Sequence, residues 1–581
     1  MVIQDYFYPS LGKRALAALL VVQLIFCPPC LAFERTARHG GQIVSTLLSD
    51  PRTFNPLVIK DAGSSRVVST LFEGLTTTNA YDGTVEPNLA ESWTVSNDGL
   101  TWTFHLRHDV RWNDGEPMTA DDVVFTFNDL VYNDDIPASA RDIFTIEGQE
   151  FEVSKIDDYT VQFVLPVKFA PFLRALGQEI LPKHRLKKYV DDGTFNFTWG
   201  IDTPPGDIVG TGPFMMRRYD PGQRIVLVRN PYYWKKSREG HQLPYIDKLI
   251  YMIVQSEDVM MLKFLEGSTD SLGVSGRDYP LIKPLEKKKN FTVYELGADF
   301  GSQFIFFNQN RGKDSETGKP YVPEHKLRWF TDLNFRRAVA HAIDKEQIIA
   351  IVKNKLGYPQ YSPIGPGAGF FHNPNVPKHE YNPAKARQIL AEAGYVDRNG
   401  DGFIEDKEGN RVEFNLNTNA GNDEREEIAG IIRTDLERIG MKVNFQQLEF
   451  NTLVRRINTS FDWDAIILGL TGGVEPHFGK NVWDSSGQLH MWYPKQESPA
   501  TKWEARIDEI FNKAVQELDQ DKRKAYYDEF QVIVAENLPL IYTVLGSSIS
   551  AVRNKFGNLD PTNLGGVFHN LEELYILEEY K

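Results

Sequence analysis

The sequence predicts an α/β fold, and three observations carry that prediction. Strand-like and helix-like segments alternate along the whole length, no low-complexity tract or internal repeat breaks the alternation, and the 581 residues hold several domains at roughly 150 residues each. The two cysteines, Cys27 and Cys30, both fall in the N-terminal leader. The remainder has a core large enough to need no disulfides.

The leader comes first. Lys13 and Arg14 precede the apolar run Ala15–Phe26, and Cys30-Leu31-Ala32 places small residues where a signal peptidase reads them. The run is too short to span a bilayer as a mature anchor. Residues 1–32 are therefore expected to be an export signal cleaved after Ala32, which places the product in the periplasm or outside the cell. A lipid anchor on Cys27 or Cys30 is the less favoured alternative, because Phe26 and the Pro28-Pro29 pair fit that processing poorly. Lys13 and Arg14 against Asp5 give the leader +1, so the net charge of −15 becomes −15 − 1 = −16. That charge argues against nucleic acid and anionic lipid as partners.

"GQIVSTLL" (41–48) reads as a strand and "SSRVVSTLFEGL" (64–75) as a helix. In "NDGLTWTFHLRHDVRWNDG" (97–115), Trp102, Phe104 and Leu106 alternate with polar residues, the period of a half-buried strand. The two Asn-Asp-Gly triplets are turn formers. His105 and His108 are three apart, so on a strand they point to opposite faces and share no metal. In "MTADDVVFTF", Thr119 is the expected N-cap and Asp122 an acid of the first turn. "YTVQFVLP" (159–166) and "QRIVLVRN" (223–230) are strands. "NFRRAVAHAIDKEQIIAIVKN" (334–354) has helical spacing, "PAKARQILAEAG" (383–394) starts at proline and ends at glycine as helices do, and 501–537 reads as two charged helices.

These segments also match a family. "LAESWTVSNDGLTWTFHLRHDVRWNDGEPMTADDVVFTFNDL" (89–130), "LPKH" (181–184), "GTGPFMMRRYDPGQRIVLVRNPYYW" (210–234), "NFRRAVAHAIDKEQI" (334–348) and "NPAKARQILAEAGY" (382–395) resemble, in order, blocks of the extracellular solute-binding proteins of the peptide and nickel class that serve ABC importers. The resemblance implies a periplasmic-binding-protein-like (type II) fold of two lobes joined by a hinge, with an extra subdomain in the first lobe. The core of lobe I would be 33–80, 210–300 and 545–581, the insertion 81–209 and lobe II 301–544. The crossing strands would lie near 301–310 and 538–548, both continuous apolar runs. The implied partners are a small solute, a peptide first of all, and a membrane permease, with the chain acting as a monomer and requiring no cofactor.

In peptide-binding members an acidic residue of the second lobe takes the ligand's ammonium, and that segment here is "WDAIILGLTGGVEPHFGKNVWDSSGQ" (463–488). Gly472 and Gly473 stand where the acid is expected. Either Glu475 takes the ammonium or the ligand lacks a free amino terminus. Thr471, Gly472, Gly473, Glu475, Asn308, Trp483 and Trp492 form the candidate ligand set, with Tyr493 beside them. A nickel complex would want a histidine, for which His372, His477 and His490 are available; opines and glycans are further solutes of the scaffold.

"DRNGDGFIEDKE" (397–408) fits the calcium loop D-x-N-x-D-G-x5-E. Asp397, Asn399, Asp401, the Phe403 carbonyl and Glu408 would ligate, and Ile404 occupies the apolar eighth position. The following "RVEFNLN" (411–417) reads as a strand rather than the usual helix, so an ordinary acidic turn is the alternative. A secreted hydrolase is the contrasting class. "GVSGR" (273–277) lacks the last glycine of a nucleophile elbow, "FGKN" has Asn481 where a phosphate loop needs Ser or Thr, and no His-Glu-x-x-His helix occurs. No reaction centre is legible.

Overall fold

The computed structural model describes residues 36–581 except 37, 139, 147 and 488. The expected export signal, with Cys27 and Cys30, lies outside the described residues. Each lobe has its own sheets, and a further one, Ser271–Gly273, Val544–Arg553 and Phe291–Ala298, is joined by Gly357–Pro359 from the second-lobe segment.

In the first lobe, strands Gln42–Leu47, Lys248–Ile253, Arg224–Arg229 and Phe214–Asp220 lie side by side in that order. The first pair is parallel, with Val44 opposite Ile250. The expected helix over 64–75 is shorter, Ala62–Val68, capped by Asp61, whose carboxylate accepts the Ser64 N–H. Beyond it the carbonyls are claimed by another segment: Leu71 O accepts Gly212 N–H at 2.9 Å and Thr70 O accepts Phe214 N–H at 3.2 Å. A Cβ on Gly210 would lie 2.0 Å from Leu71 O. The glycines of "GTGPF" therefore let two backbones meet.

A second sheet of this lobe packs Phe104, Phe127, Phe163 and Phe172 edge to face, for example Phe127 on Phe163 at 5.1 Å. Its strands are Ala90–Val95, Thr101–Leu106, Thr160–Val164 and Glu152–Asp157. Gly99 and Gly115 take positive φ in the two Asn-Asp-Gly turns. Asp122 closes the helix start, accepting the Thr119 N–H at 2.9 Å. His105 is exposed and His108 lies against Tyr159. The polar residues of 97–115 are scaffold.

The second lobe holds a five-stranded sheet, Lys442–Leu448, Glu413–Asn419, Ala465–Leu470, Ser302–Phe307 and Ile541–Tyr542. In Ser302–Phe307 the side chains alternate between two cores. Ile305 and Phe307 face the helices Leu333–Ala342, Pro383–Ala393 and Asp423–Glu437. Phe304 and Phe306 face Lys502–Ala514 and Gln520–Asn537. Covering both faces explains the unbroken apolar run. The segment 334–354 forms two helices, because Asp344 leaves helical geometry and caps the second, Lys345–Ile351, through Gln347 N–H at 2.9 Å.

The chain crosses between lobes twice, and the crossings are bonded to each other. Phe291–Ala298 leads into Ser302–Phe307, and Ile541–Tyr542 into Val544–Arg553. Asp299 N–H donates to Gly546 O at 3.0 Å, and Thr543 N–H to Gln303 O at 2.8 Å. On the hinge side Arg277 pairs with Asp423 at 3.1 Å. At the other side of the molecule Ala170 N–H donates to Val515 O at 2.7 Å, and Phe169 lies 5.5 Å from the His477 ring. Among the described residues no helix is long and apolar enough to cross a membrane.

Candidate functional site: an interlobe cleft

Between the lobes lies a cleft of about 1170 Å³, walled on one side by Thr77–Tyr81, Arg174, Lys235 and His569 and on the other by Phe300, Ser302, Thr471–Pro476 and Trp483. It exceeds the roughly 300–1,000 Å³ usual for sites of drug-sized molecules.

The second-lobe wall is where strand Ala465–Leu470 runs out. A Cβ on Gly472 would lie 1.8 Å from Phe300 O, so this glycine lets the loop lie against the crossing strand. Gly473 has open space where a Cβ would stand. Among the described residues the peptide groups of Thr471–Val474 join no other backbone segment. Thr471, Gly472, Gly473, Glu475 and Trp483 all line the cleft.

Glu475 lines it as an occupied carboxylate. Its Oε2 accepts Arg523 Nη1 at 2.9 Å, Oε1 accepts Arg523 Nη2, and Oε1 also accepts the His477 N–H at 3.0 Å. The two side chains are 5% and 7% exposed. Burial pulls the Arg523 guanidinium down and Glu475 more than offsets it, holding its pKa above the ordinary value. Of the two readings of this position, an ammonium on Glu475 would have to displace a buried bidentate guanidinium.

Two members of the candidate set lie elsewhere. Asn308 is six residues beyond cleft-lining Ser302, roughly 20 Å at strand rise, and its buried carboxamide donates to Phe461 O and Trp463 O at 2.9 and 3.0 Å. Trp492 is buried behind Trp483, their rings 5.6 Å apart, and its indole N–H is held by Glu504 at 3.1 Å. Tyr493 packs against the same core. The loop pattern suggested one aromatic wall, but the cores compete for large apolar side chains and Trp483 alone of these three borders the cleft.

The profile of bacterial extracellular solute-binding proteins, family 5 Middle, matches residues 84–489. The chain belongs to that family. It is 31% identical to the Probable ABC transporter-binding protein of Deinococcus radiodurans over 526 residues, 86% of each chain. It is 29% identical to the oligopeptide-binding protein AppA of Bacillus subtilis over 94% of this chain and 92% of that one. The structure of AppA in complex with a nonapeptide superposes with a TM-score of 0.77 at 27% identity, covering 94% of this chain and 100% of that chain. MelB of Agrobacterium fabrum C58, in complex with stachyose, shares the fold at a TM-score of 0.76 and 23% identity, over 94% and 86% of the two chains.

In this family member the whole first-lobe wall escaped sequence reasoning. Arg174 sits in "KFAPFLRALGQ" (168–178), which carries no motif, and reaches the cleft because Phe172 beside it anchors the short helix Phe172–Ala175 in the aromatic core. Its guanidinium donates to Thr78 Oγ1 at 3.2 Å and to Gly83 O. Burial lowers its pKa, with Glu475 opposing from the other lobe and Arg523 adding to the fall. Lys235 is ion-paired with Glu572 at 3.4 Å and Glu73 at 3.9 Å.

The candidate histidines are turned inward. His372 Nδ1 meets Ile364 O at 2.8 Å, and His490 lies between the Trp492 ring at 3.9 Å and Glu504. His477 is held neutral, its pKa pushed down to about 3 by burial, with Lys480 and Arg523 contributing. In the 397–408 loop, Asp397 and Asp401 lie close to Glu405, whereas the expected closing ligand Glu408 is drawn to Arg328 at 3.1 Å. Asp401 pairs with Arg411. Asp397 accepts Gly400 and Gly402 N–H, Asn399 accepts Asp401 N–H, and Phe403 N–H donates to Asp401. Arg411 reaches Asp401 because its backbone bridges to Glu405 just before strand Glu413–Asn419 begins.

Proposed function

We propose that this protein is the exported capture subunit of an ABC importer, that its solute is a peptide, and that it hands the peptide unchanged to a membrane permease. One observation carries the reading: a cleft of about 1170 Å³ bordered by both lobes, with the unpartnered peptide groups of Thr471–Val474 in its wall. Such a backbone pairs with a ligand backbone as an added strand does, whatever the side chains. The peptide-bound AppA, alike over nearly the whole chain, supports the same reading.

Capture works through population shift. A ligand touching both walls stabilises the closed arrangement, and a micromolar ligand supplies roughly 8 kcal/mol for it. The bonded crossings keep the lobes in register while they move. Mass spectrometry of the molecule that co-purifies with the exported protein tests the reading: peptides are expected, and an oligosaccharide or a metal complex would refute it. Incubation with peptides should return them intact, and turnover abolished by one point mutation would overturn the assignment as a binding protein.

A further inference from the structure

We propose that Arg174 is the charge-reading residue of the cleft and that it binds the C-terminal carboxylate of the ligand. The proposal rests on the peptide reading and adds which end of the peptide is read by charge. Three of the charged groups in the cleft wall are already engaged: Glu475 by Arg523, and Lys235 and Glu572 in one cluster with Glu73 behind the wall. Glu86 is exposed and accepts the Asn79 amide, while Glu573 and Arg238 are exposed, where single charges contribute little. Arg174 is different. It is half-buried, borders the cleft, and forms no ion pair among the described residues.

The guanidinium is also held ready. Its contacts with Thr78 Oγ1 and Gly83 O are with neutral acceptors and use two of its five N–H groups. They fix the side chain at low entropic cost and leave three donors and the full positive charge. A carboxylate is the planar acceptor such a fork fits. On the opposite wall Glu475 is held by Arg523 and the His477 N–H, and it acts on Arg174 only through its charge. A carboxylate gains at Arg174 a half-buried cation that forms no ion pair among the described residues.

The probes are three synthetic hexapeptide pools made only from Ala, Leu, Tyr and Asn, so that the C-terminus is the sole carboxylate: unmodified, C-amidated and N-acetylated. Affinities are measured by calorimetry for the native protein, Arg174→Gln and Arg174→Lys. Amidation is expected to weaken native binding by about tenfold or more, and acetylation to leave it within about threefold. Arg174→Gln should bring the unmodified pool to the affinity of the amidated one while leaving the amidated pool unchanged. Arg174→Lys, which keeps the charge without the fork, should retain part of the preference.

Equal binding of unmodified and amidated pools by the native protein overturns the proposal, with no variant needed. So does an equal loss for both pools in Arg174→Gln, the mark of a merely structural role in holding Thr78 and Gly83. Loss on acetylation instead of amidation overturns it too. Binding of none of the pools overturns the peptide reading itself, and this proposal with it.

Discussion

Two loops of the second lobe, 471–476 and 397–408, look equally promising as sequence, each rich in glycine with well-placed acids. In the first, the carboxylate is buried and both its oxygens are bound by a guanidinium 48 residues away, Arg523, with the His477 N–H as a third donor. In the second, Asp397, Asp401 and Glu408 are exposed while Glu405 and Asp406 are buried, Asp397 and Asp401 accept N–H groups of their own turn, and Arg411 and Arg328 are drawn onto Asp401 and Glu408. An acid's role is set by what already occupies its oxygens. The first loop builds part of the cleft wall, and the second is a turn that gathers Asp397, Asp401 and Glu405.

The sharpest way to break this contrast is to empty one side of the buried pair. Glu475→Ala leaves the Arg523 charge buried without its partner, so it should destabilise the fold by about 3–5 kcal/mol in denaturant unfolding. Glu475→Leu with Arg523→Met should recover most of that loss, because Arg523 already lies over the Phe371 and Tyr527 rings. Next comes the glycine pair. Gly472→Ala drives a methyl into Phe300 O and should lose about 1–3 kcal/mol, whereas Gly473→Ala should stay within about 0.5 kcal/mol. Equal effects would remove the distinction between the two glycines.

Acid sharpens the comparison further. His477, beside the buried pair, titrates at about 3 when folded against 6.5 ordinarily, and His379 at about 4, both chiefly through burial. Between those values the unfolded chain binds more protons, so stability falls as pH drops from about 6.5. Each such histidine contributes at most about 1.4 kcal/mol per pH unit, and His477→Phe should flatten the slope in urea titrations across pH 4–6.5. The smallest effect belongs to the surface loop. Asp401→Ala should leave the denaturant midpoint nearly unchanged, because exposed ion pairs contribute little. Calcium added to chelated protein should raise its melting temperature by no more than about a degree, because Arg411 and Arg328 already hold two of the expected ligands. A larger rise would return the loop to the role its motif suggests.

Much of this architecture is legible in the sequence, because its causes are local. Strand period, the Asn-Asp-Gly turns, the Thr119 cap, the Pro383 helix start and the left-handed Gly394 all act within a few residues. The family blocks are legible for the same reason. The misplacements share an opposite cause. Asn308 and Trp492 are the right residue types near the right segments, but only the packing of Phe461, Trp463 and Glu504 decides that both are consumed inside the lobe. The helix read over 64–75 ends early because Gly212 and Phe214, far along the chain, take its carbonyls.

By itself, then, the sequence determined an α/β chain of this solute-binding family, its elements and most of their ends, since periodicity and capping are written in neighbouring residues. Only the tertiary structure decided which charges remain free in the cleft. Glu475 is spent on Arg523 and Arg174 is left without an ion pair among the described residues, because ion pairing depends on distances that the fold alone sets between residues remote in the chain.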